Sequence, residues 1–539
     1  MNPRNRSFLL VLVGAGLTAC VGGGAGAPPV DVETAPLDVS RTFDHVMKHV
    51  SETGEESYSA GLFCGNSHRH CKARIETDAS GHPLIGPRAG GGSGVLGATD
   101  LQAAYGLDVT KTPNATVAIV DAYGYTGLES DLAKYRSMYG LPACTTANGC
   151  LKIVNQQGQT SPLPKSDGQG CNGWNGETSL DVDMASAACP NCKILVVLTD
   201  DADESMMPNL EMGQKTAAML GATVISDSWG GADSDTNDIM MSDKYFDVSP
   251  AKTGIFVASG DDGWNNYEAA QQQGGMAGPD FPSTSEFVIA VGGTVLTKST
   301  SSARGWTETA WADGGSSCSP VIATPTWMAG INTSCNFRAA VDVAADASPT
   351  SGSAVNTVCG GSSAGVGGTS AASPLVAAIF ALYGHGENKG DFVYTNKAAW
   401  NDVTSGTNGS CGNIQCQAGT GWDGPTGLGT PNGKALGMIA PTDGNPNATP
   451  DMAMPPDMAM APDMAQDNGN GGSGGSGGGG GTGTGGNGGS GGSGGGNGNH
   501  GGDSGCSMGG AAAATGGLWL FLVFGVAVLG RTLRFRRRA

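Results

Sequence analysis

The chain has 539 residues, of which 92 are glycine, and a formal net charge of −20 at pH 7. Because the glycines are concentrated near the C-terminus, we expect one large folded domain that is much shorter than the chain. Seven of the 28 lysines and arginines lie in the two terminal segments, so the remainder is more acidic still. This charge balance excludes nucleic acid as an expected partner, since the phosphate backbone attracts basic patches.

The N-terminus has the features of an export signal. Two arginines precede an apolar run over residues 8–17, which is too short to span a bilayer comfortably. The run ends in Leu17-Thr18-Ala19-Cys20, which resembles a bacterial lipoprotein box, so Cys20 would become the lipidated first residue. An ordinary secretory signal, cleaved near Ala25 or Ala27, is the alternative. Both alternatives predict export.

The middle of the chain predicts an α/β domain with a buried parallel sheet and crossover helices. Apolar, β-rich runs lie at 115–120, 193–198, 222–226, 254–258 and 287–291, and they alternate with helical stretches such as 128–139 and 204–220. Functional residues in such sheets collect at the carboxyl ends of strands. Asp121 and Asp261 each closely follow a predicted strand.

The motif Gly368-Thr369-Ser370-Ala371-Ala372-Ser373-Pro374 is typical of a serine nucleophile. Ser370 precedes an apolar helix predicted over 374–383, whose proline would lie in the first turn. A serine hydroxyl needs an adjacent base, usually histidine, but no histidine lies between His82 and His385. If Ser370 is catalytic, its base must be another group.

Two carboxylates, Glu177 and Asp181, are the candidates for that base. They lie four residues apart, which a helix would place on one face. Like charges at this spacing are unfavourable on a solvated helix face, and no lysine or arginine between Lys165 and Lys193 offsets them. The combination predicts a serine peptidase that works with carboxylates.

The cysteines predict disulfides in an oxidising compartment. Twelve of the 14 cysteines remain when Cys20 and Cys506 are set aside. An even number of cysteines in an exported chain favours disulfides. The expected local pairs are Cys64 with Cys71, Cys144 with Cys150, Cys318 with Cys335, and Cys411 with Cys416. The segment Cys189-Pro190-Asn191-Cys192 could be a redox or zinc site, but it has no second pair at ligand spacing, so we favour a structural role. The histidines between Cys64 and Cys71 leave metal binding as a weaker alternative to a small disulfide loop.

Residues 96–440 resemble the sedolisin family of serine-carboxyl peptidases. Four pieces of the chain show the resemblance in the family's order: Glu177 with Asp181, Ser259-Gly260-Asp261, Phe281-Pro282-Ser283 leading to Val291-Gly292-Gly293-Thr294, and the motif around Ser370. The resemblance implies a subtilisin-like, doubly wound and mainly parallel sheet with flanking helices, in which glutamate replaces the catalytic histidine.

The resemblance also implies a role for each matching residue. Ser370 would attack the peptide carbonyl, Glu177 would take its proton and return it to the leaving amine, and Asp181 would orient Glu177. Asp261 would stabilise the oxyanion. Two nearby carboxyls share a proton, and a protonated Asp261 can donate to a developing oxyanion, so the implied chemistry is self-consistent and acidic.

Family members bind a structural calcium ion near the end of the domain, and the resemblance implies such a site here. The implied ligands are the side chains of two aspartates and three backbone carbonyls: Asp402, Val403, Gly419, Gly421 and Asp423. Carboxylate and carbonyl oxygens are the hard ligands that suit calcium. A plain turn cluster is the alternative.

The C-terminal fifth predicts a stalk and a surface tail. Residues 441–505 contain Asp-Met-Ala repeats with prolines and then a Gly/Ser/Asn tract, which predict a flexible, disordered linker. Residues 506–539 contain a hydrophobic helix followed by arginines, as in a membrane anchor or a removable tail, and they resemble the C-terminal sorting tails of myxobacterial surface proteins.

The predicted organisation is an export signal at 1–20, a short propeptide-like region at 21–95, the peptidase domain at 96–440, the linker and the tail. Family members usually have a large folded propeptide, so the short region leaves zymogen inhibition and its cleavage point open.

Taken together, the sequence predicts a monomeric, secreted or surface-anchored endopeptidase that acts on protein or peptide substrates, held at the membrane by a lipid anchor or the C-terminal helix. A surface binding protein with the same fold is one alternative. A Ser/His/Asp subtilisin with Asp121 as its acid is another, but it needs a His-Gly-Thr-His-like segment after Asp121 that the chain lacks.

Overall fold

The structure is a computed structural model that describes residues 38–442, except for 39, 44–45, 51–55, 63, 65–68, 85–94, 203–207, 233–235, 267–277, 350–353 and 387–388. The predicted export signal, Cys20, the linker after residue 442 and the C-terminal tail lie outside the described residues. Within them, no helix is both long enough and apolar enough to cross a membrane.

The described residues form short strands and helices that alternate along most of the chain. In chain order, the strands are β1 Met47–Val50, β2 Glu56–Gly61, β3 His70–Cys71, β4 Arg74–Thr77, β5 Thr116–Ala122, β6 Leu151–Asn155, β7 Lys193–Thr199, β8 Val224–Asp227, β9 Trp229–Ala232, β10 Gly254–Ala258, β11 Asp280–Phe281, β12 Ile289–Lys298, β13 Trp306–Ala310, β14 Ser317–Cys318, β15 Ala339–Ala340, β16 Val343–Asp346, β17 Val355–Cys359, β18 Ser362–Gly367, β19 Trp400–Asn401 and β20 Thr430–Pro431. The helices are α1 Ala98–Tyr105, α2 Leu128–Met138, α3 Trp174–Ala188, α4 Asn209–Met219, α5 Thr236–Asp243, α6 Thr369–Tyr383, α7 Gly390–Thr395 and α8 Gly433–Leu436.

The central sheet has the strand order β13-β12-β10-β8-β5-β7-β6, and β16 also pairs with β12. Every pairing in it is parallel except that of β12 with β13. Each of the five predicted apolar runs overlaps one of its strands. The expected mainly parallel α/β sheet is therefore confirmed.

Helices cover both faces of this sheet, as its two-sided apolar strands predict. Along β5, Val117 and Ile119 pack into one core cluster with α1, α2, α3 and α6, whereas Ala118 and Val120 pack into a second cluster with α4 and α5. Successive side chains of a strand point to opposite faces, so the strand is buried on both. This arrangement is the doubly wound architecture expected from the sequence.

The helix after the nucleophile motif begins earlier than predicted. It starts at Thr369, so Pro374 lies inside it and not in its first turn. A proline cannot donate to the carbonyl four residues before it, which here belongs to Ser370. The hydroxyl of Ser228 donates to that carbonyl at 3.5 Å instead. The helix tolerates the proline because a neighbouring element supplies this donor.

The region before residue 96 contributes strands to two further sheets. β1, β2 and β4 join β18 and β17 in a five-stranded antiparallel sheet, and β3 pairs with β9 in a small sheet that also contains β11. The predicted propeptide-like region is thus paired with strands of the predicted peptidase domain on two sides. The boundary placed at residue 95 stays a prediction.

All four local disulfides predicted from the sequence are present. Cys189 is bonded to Cys192, which supports a structural role for that segment. The remaining pair joins Cys171 to Cys359 across 188 residues. It ties the turn before α3 to the end of β17, and it closes a long loop, which is where a crosslink removes most chain entropy from the unfolded state.

Candidate active site

The predicted nucleophile, Ser370, lies in the first turn of α6 and is fully buried. The backbone just before it needs Gly368, whose φ of 106° is rarely adopted by residues with a side chain. The Ser370 hydroxyl donates to the carbonyl of Ser228, which follows β8, at 3.3 Å. Ser370 therefore lies by the carboxyl end of a central strand, where functional groups of such sheets collect.

Three buried carboxyl groups face one another beside this serine. Glu177 and Asp181 lie one turn apart on α3, and Asp121 lies near the carboxyl end of β5, all of them 0% exposed. Their six oxygens make no hydrogen bond of standard geometry with the described residues. Burial, and then the charge of Asp121, raises the pKa of both Glu177 and Asp181 well above the usual range. Burial raises the pKa of Asp121 itself to about 7.

Glu177 is the carboxyl that faces the nucleophile. Burial and the charges of Asp121 and Asp261 raise the pKa of Glu177. The Ser370 hydroxyl and the backbone amide of Ala73 lower it. Neither contact has standard hydrogen-bond geometry, and the Ser370 hydroxyl donates to the Ser228 carbonyl instead. Rotation of that hydroxyl about its Cβ–Oγ bond would turn its proton towards Glu177.

The loop after β10 places Asp261 against the start of α6. Its Oδ1 accepts hydrogen bonds from the Thr369 amide and the Thr369 hydroxyl, both at 2.8 Å. Its Oδ2 is buried and makes no hydrogen bond with the described residues. Burial raises the pKa of Asp261 to about 7, although Arg74, Thr369 and Lys72 lower it. In acid this carboxyl is protonated, and Oδ2 can donate a hydrogen bond into the space beside Ser370.

All four predicted catalytic residues are thus brought into one buried site by α3, α6 and the loop after β10. The structure adds Asp121, which the sequence offered only as the acid of a different kind of peptidase. It also adds Lys72 and Arg74 from the propeptide-like region; the Arg74 guanidinium donates to the Asp261 carbonyl at 3.0 Å. The sequence signal for them is the segment Lys72-Ala73-Arg74 directly after Cys71.

The implied calcium ligands lie in two neighbouring loops. Asp402 Oδ2 accepts from the Gly421 amide at 3.0 Å, and Asp423 Oδ2 accepts from the Gly419 amide at 2.9 Å. Burial raises the pKa of Asp423 to about 7, and the charge of Asp402 adds to that shift. Val403 follows Asp402 and is buried. The two carboxylates repel each other, and neither forms an ion pair with the described residues. A hard cation would stabilise such a set of oxygen donors.

Among the described residues, one further group of side chains has metal-ligand spacing, and it does not suit a metal. It consists of Cys64, Cys71 and Glu177. Because the two cysteines are joined in a disulfide, their sulfurs are not thiolates and cannot act as strong ligands. The loop between them is the small disulfide loop favoured from the sequence.

Comparisons with known proteins agree with this geometry. A model of the subtilase family matches residues 168–405. Kumamolisin from Bacillus sp. (strain MN-32) is 31% identical over 336 residues, which is 57% of this chain and 57% of kumamolisin. Sedolisin from Pseudomonas sp. (strain 101) is 28% identical over 353 residues, which is 60% of this chain and 58% of sedolisin. The chain therefore spans well under two thirds of the length of these relatives.

A solved structure shows the same architecture. The structure of Pseudomonas sedolisin, a serine-carboxyl proteinase complexed with two molecules of pseudo-iodotyrostatin, has a TM-score of 0.53 and 24% identity to this chain. It covers 65% of this chain and 98% of the sedolisin chain. Together with the subtilase match, this likeness shows that the domain has a subtilisin-like α/β fold.

The buried carboxyls predict that the domain is more stable in acid than at neutral pH. A carboxyl whose folded pKa is raised stabilises the fold below its unfolded pKa of about 4, and that contribution is lost as the pH rises through the folded pKa. For Asp121 and Asp261 that value is about 7. We expect the melting temperature of Ser370→Ala to fall steadily between about pH 4 and pH 7.5.

The matched control is Ser370→Ala combined with Asp121→Asn, which removes one buried ionisable group while keeping its shape. Its melting temperature should fall less over the same pH window. A melting temperature that rises towards neutrality in the single variant would contradict the raised pKa values of these carboxyls.

Proposed function

We propose that this protein is a serine-carboxyl endopeptidase of the sedolisin family, which hydrolyses peptide bonds in acid. The observation that carries the proposal is the placement of the Ser370 hydroxyl beside the buried Glu177 carboxyl, with buried Asp261 held by the amide and hydroxyl of the adjacent Thr369. The similarity to kumamolisin and sedolisin supports it. Export to the cell surface or the medium is part of the proposal and rests on the terminal sequences alone.

In the proposed mechanism, Ser370 Oγ attacks the carbonyl carbon of the substrate while Glu177 takes the hydroxyl proton. Glu177 then returns that proton to the leaving amine, and water hydrolyses the acyl-enzyme by the same steps in reverse. Asp181 and Asp121 are positioning residues: the three carboxyls share protons, so Asp181 and Asp121 can hold protons while Glu177 is the ionised member that accepts the proton of Ser370. Protonated Asp261 donates to the developing oxyanion at the N-terminus of α6, where backbone dipoles also favour negative charge.

We also propose that the Asp402 and Asp423 loops hold a calcium ion with the carbonyls of Val403, Gly419 and Gly421. The ion would neutralise the two carboxylates and so stabilise the end of the domain. These loops are separate from the residues that act on the substrate, so calcium has a structural role in the proposal.

The first test concerns the nucleophile and its base. Since they act as a unit, Ser370→Ala, Glu177→Gln and Asp181→Asn should each lower kcat on a denatured protein substrate by about 10⁴-fold, with unchanged circular dichroism. Ser137→Ala and Glu129→Gln, on α2, are the matched controls and should keep full activity. A fully active Glu177→Gln enzyme would show that another group is the base, and a wild type that binds unfolded protein without cleaving it would favour the surface binding protein.

The second test concerns pH. Because Asp261 must be protonated to donate to the oxyanion and its pKa is about 7, activity should be high in acid and fall as the pH rises through neutrality. Asp261→Asn keeps a neutral donor at every pH, so its activity should persist at least about one pH unit higher, even if its maximum is lower. If both enzymes lose activity at the same pH, the titrating group is the Glu177 cluster and not Asp261.

The third test concerns calcium. Excess chelator should lower the melting temperature of Ser370→Ala at neutral pH. The corresponding loss in free energy of unfolding is about 3 kcal/mol relative to calcium at 100 times its Kd. Asp423→Ala should be less stable and insensitive to chelator, whereas Asp391→Asn, an exposed control, should respond as the parent does. Equal melting temperatures with and without chelator, in a protein that contains no calcium, would rule the site out.

A further inference from the structure

A further buried carboxyl, that of Asp227, lies one strand away from Asp121 in the central sheet. Asp227 is the last residue of β8, and β8 pairs in parallel with β5 so that Ile119 lies beside Ser226. Neighbouring strands of a sheet are about 4.8 Å apart. Asp121 and Asp227 therefore lie close together, at the carboxyl ends of two adjacent strands.

The two residues that flank Asp227 contact the helix that carries the nucleophile. The Ser226 hydroxyl is hydrogen-bonded to the Ser373 hydroxyl at 2.9 Å, and the Ser228 carbonyl accepts from the Ser370 hydroxyl at 3.3 Å. Successive side chains of a strand point to opposite faces of the sheet. Asp227 therefore points away from Ser370, towards the face that α4 covers.

Helix α4 supplies the partner of Asp227, which is the side-chain amide of Gln214. With its nitrogen turned towards the carboxyl, this amide donates to both Asp227 oxygens, at 2.5 and 3.0 Å. Gly213 lets the helix come this close to the sheet, because a Cβ there would lie 2.8 Å from Val120 Cγ1. Asp227 and Gln214 are both 0% exposed. An apolar pair of similar volume would stabilise this face as well or better, so the polar pair points to a role other than stability.

The Gln214 amide can satisfy Asp227 in either protonation state. An ionised Asp227 accepts from the amide nitrogen, whereas a protonated Asp227 donates to the amide oxygen once the amide has turned by half a rotation. The catalytic carboxyls, Glu177, Asp181 and Asp121, make no hydrogen bond of standard geometry with the described residues. Donors that reach a carboxylate favour its charged form. Asp227 can therefore carry a negative charge at a lower cost in free energy than these three.

Two other charged residues lie on this face of the sheet. Glu211, one turn before Gln214 on α4, is 0% exposed, and its Oε1 lies 3.5 Å from Arg69 Nε. Burial, and then the charges of Glu211 and Asp121, raises the pKa of Asp227 well above its usual range. The ion pair with Arg69 reduces the repulsion from Glu211, and the Gln214 amide acts in the same direction.

The charge of Asp227 acts on the catalytic carboxyls through the sheet. Burial, and then the charges of Asp121 and Glu177, raises the pKa of Asp181, and Asp227 adds to that rise. Asp121 in turn raises the pKa of Glu177. Since all of these groups are buried, little solvent lies between them to screen their charges. A negative charge on Asp227 therefore makes the catalytic carboxyls harder to ionise.

On these grounds, and resting on the proposed function, we propose that Asp227, with Gln214 as its donor, is a positioning residue for the protons of the catalytic carboxyls. It touches neither Ser370 nor the substrate, and it acts through Asp121 and Asp181. Its charge makes Glu177 a stronger base, and it raises the pH below which Glu177 is protonated and inactive. We call that pH the acid limit of activity.

The first experiment measures kcat and KM on a soluble peptide between about pH 2 and pH 7. Asp227→Asn removes the charge and keeps the shape, so the acid limit should move about one pH unit lower. The maximal kcat should fall about threefold, because a weaker base accepts the serine proton less readily, and KM should stay the same.

The matched control is Asp243→Asn. Asp243 is also buried, and burial raises its pKa to about 6, but the groups that act on it are Ser285, Glu286, Arg338 and Asp247 and not the catalytic carboxyls. This variant should keep the acid limit of the wild type. A purely structural role for Asp227 would lower activity equally at every pH and leave the acid limit in place.

The second experiment tests the amide. Gln214→Met has a similar volume but no donor, so Asp227 should stay protonated and the acid limit should again move lower. The double variant, Asp227→Asn with Gln214→Met, should move it no further than Asp227→Asn alone, because both changes remove the same charge.

An active Asp227→Asn enzyme with the acid limit of the wild type would overturn this proposal and leave the proposed function standing. If Asp227→Asn does not fold, an unchanged acid limit in Gln214→Met overturns it in the same way. A wild type that cleaves no peptide at any pH would instead contradict the proposed function on which this inference rests.

Discussion

The removal of carboxyl groups from water is the constraint on which the rest of this structure depends. Asp121, Glu177, Asp181 and Asp261 are all nearly or completely buried, and burial is the largest cause of the raised pKa of each. Ionised side by side, these groups would repel one another without solvent to screen them. The fold therefore requires that most of them hold protons, and the chemistry proposed for Ser370 requires a proton on Asp261 and none on Glu177 when the hydroxyl attacks.

Two cations from the propeptide-like region work against this protonation. Arg74 and Lys72 both lower the pKa of Asp261, and Lys72 also forms an ion pair with Asp280. The pKa of Asp261 is nevertheless raised to about 7, because the effect of burial outweighs that of both cations.

The sequence predicted what depends on local patterns. Runs of apolar residues identified the buried strands, and close spacing identified four disulfides, because both properties are set by neighbouring residues. The motif around Ser370 and the spacing of Glu177 and Asp181 also located the candidate site. Each of these features needs only a short piece of chain to be recognised.

The sequence did not predict the features that join distant parts of the chain. Nothing in the pattern links Cys171 to Cys359, or Lys72 to Asp280 across 208 residues, because only the folded topology brings them together. The early start of α6 escaped for the same reason, since Ser228, which compensates for Pro374, lies 142 residues away from the carbonyl it serves. The two-residue strand β3 is too short to show any period of its own.

The disulfide between Cys64 and Cys71 lies entirely on the upstream side of Lys72, and no disulfide of the described residues crosses the Lys72–Ala73 bond. In the intact chain the segment at Lys72, whose carbonyl accepts from the Ser370 amide, is held there at the high effective concentration of a tethered ligand. Because the backbone is the tether, this occupancy does not depend on the concentration of the protein, whereas a separate peptide of the same sequence would bind only by mass action.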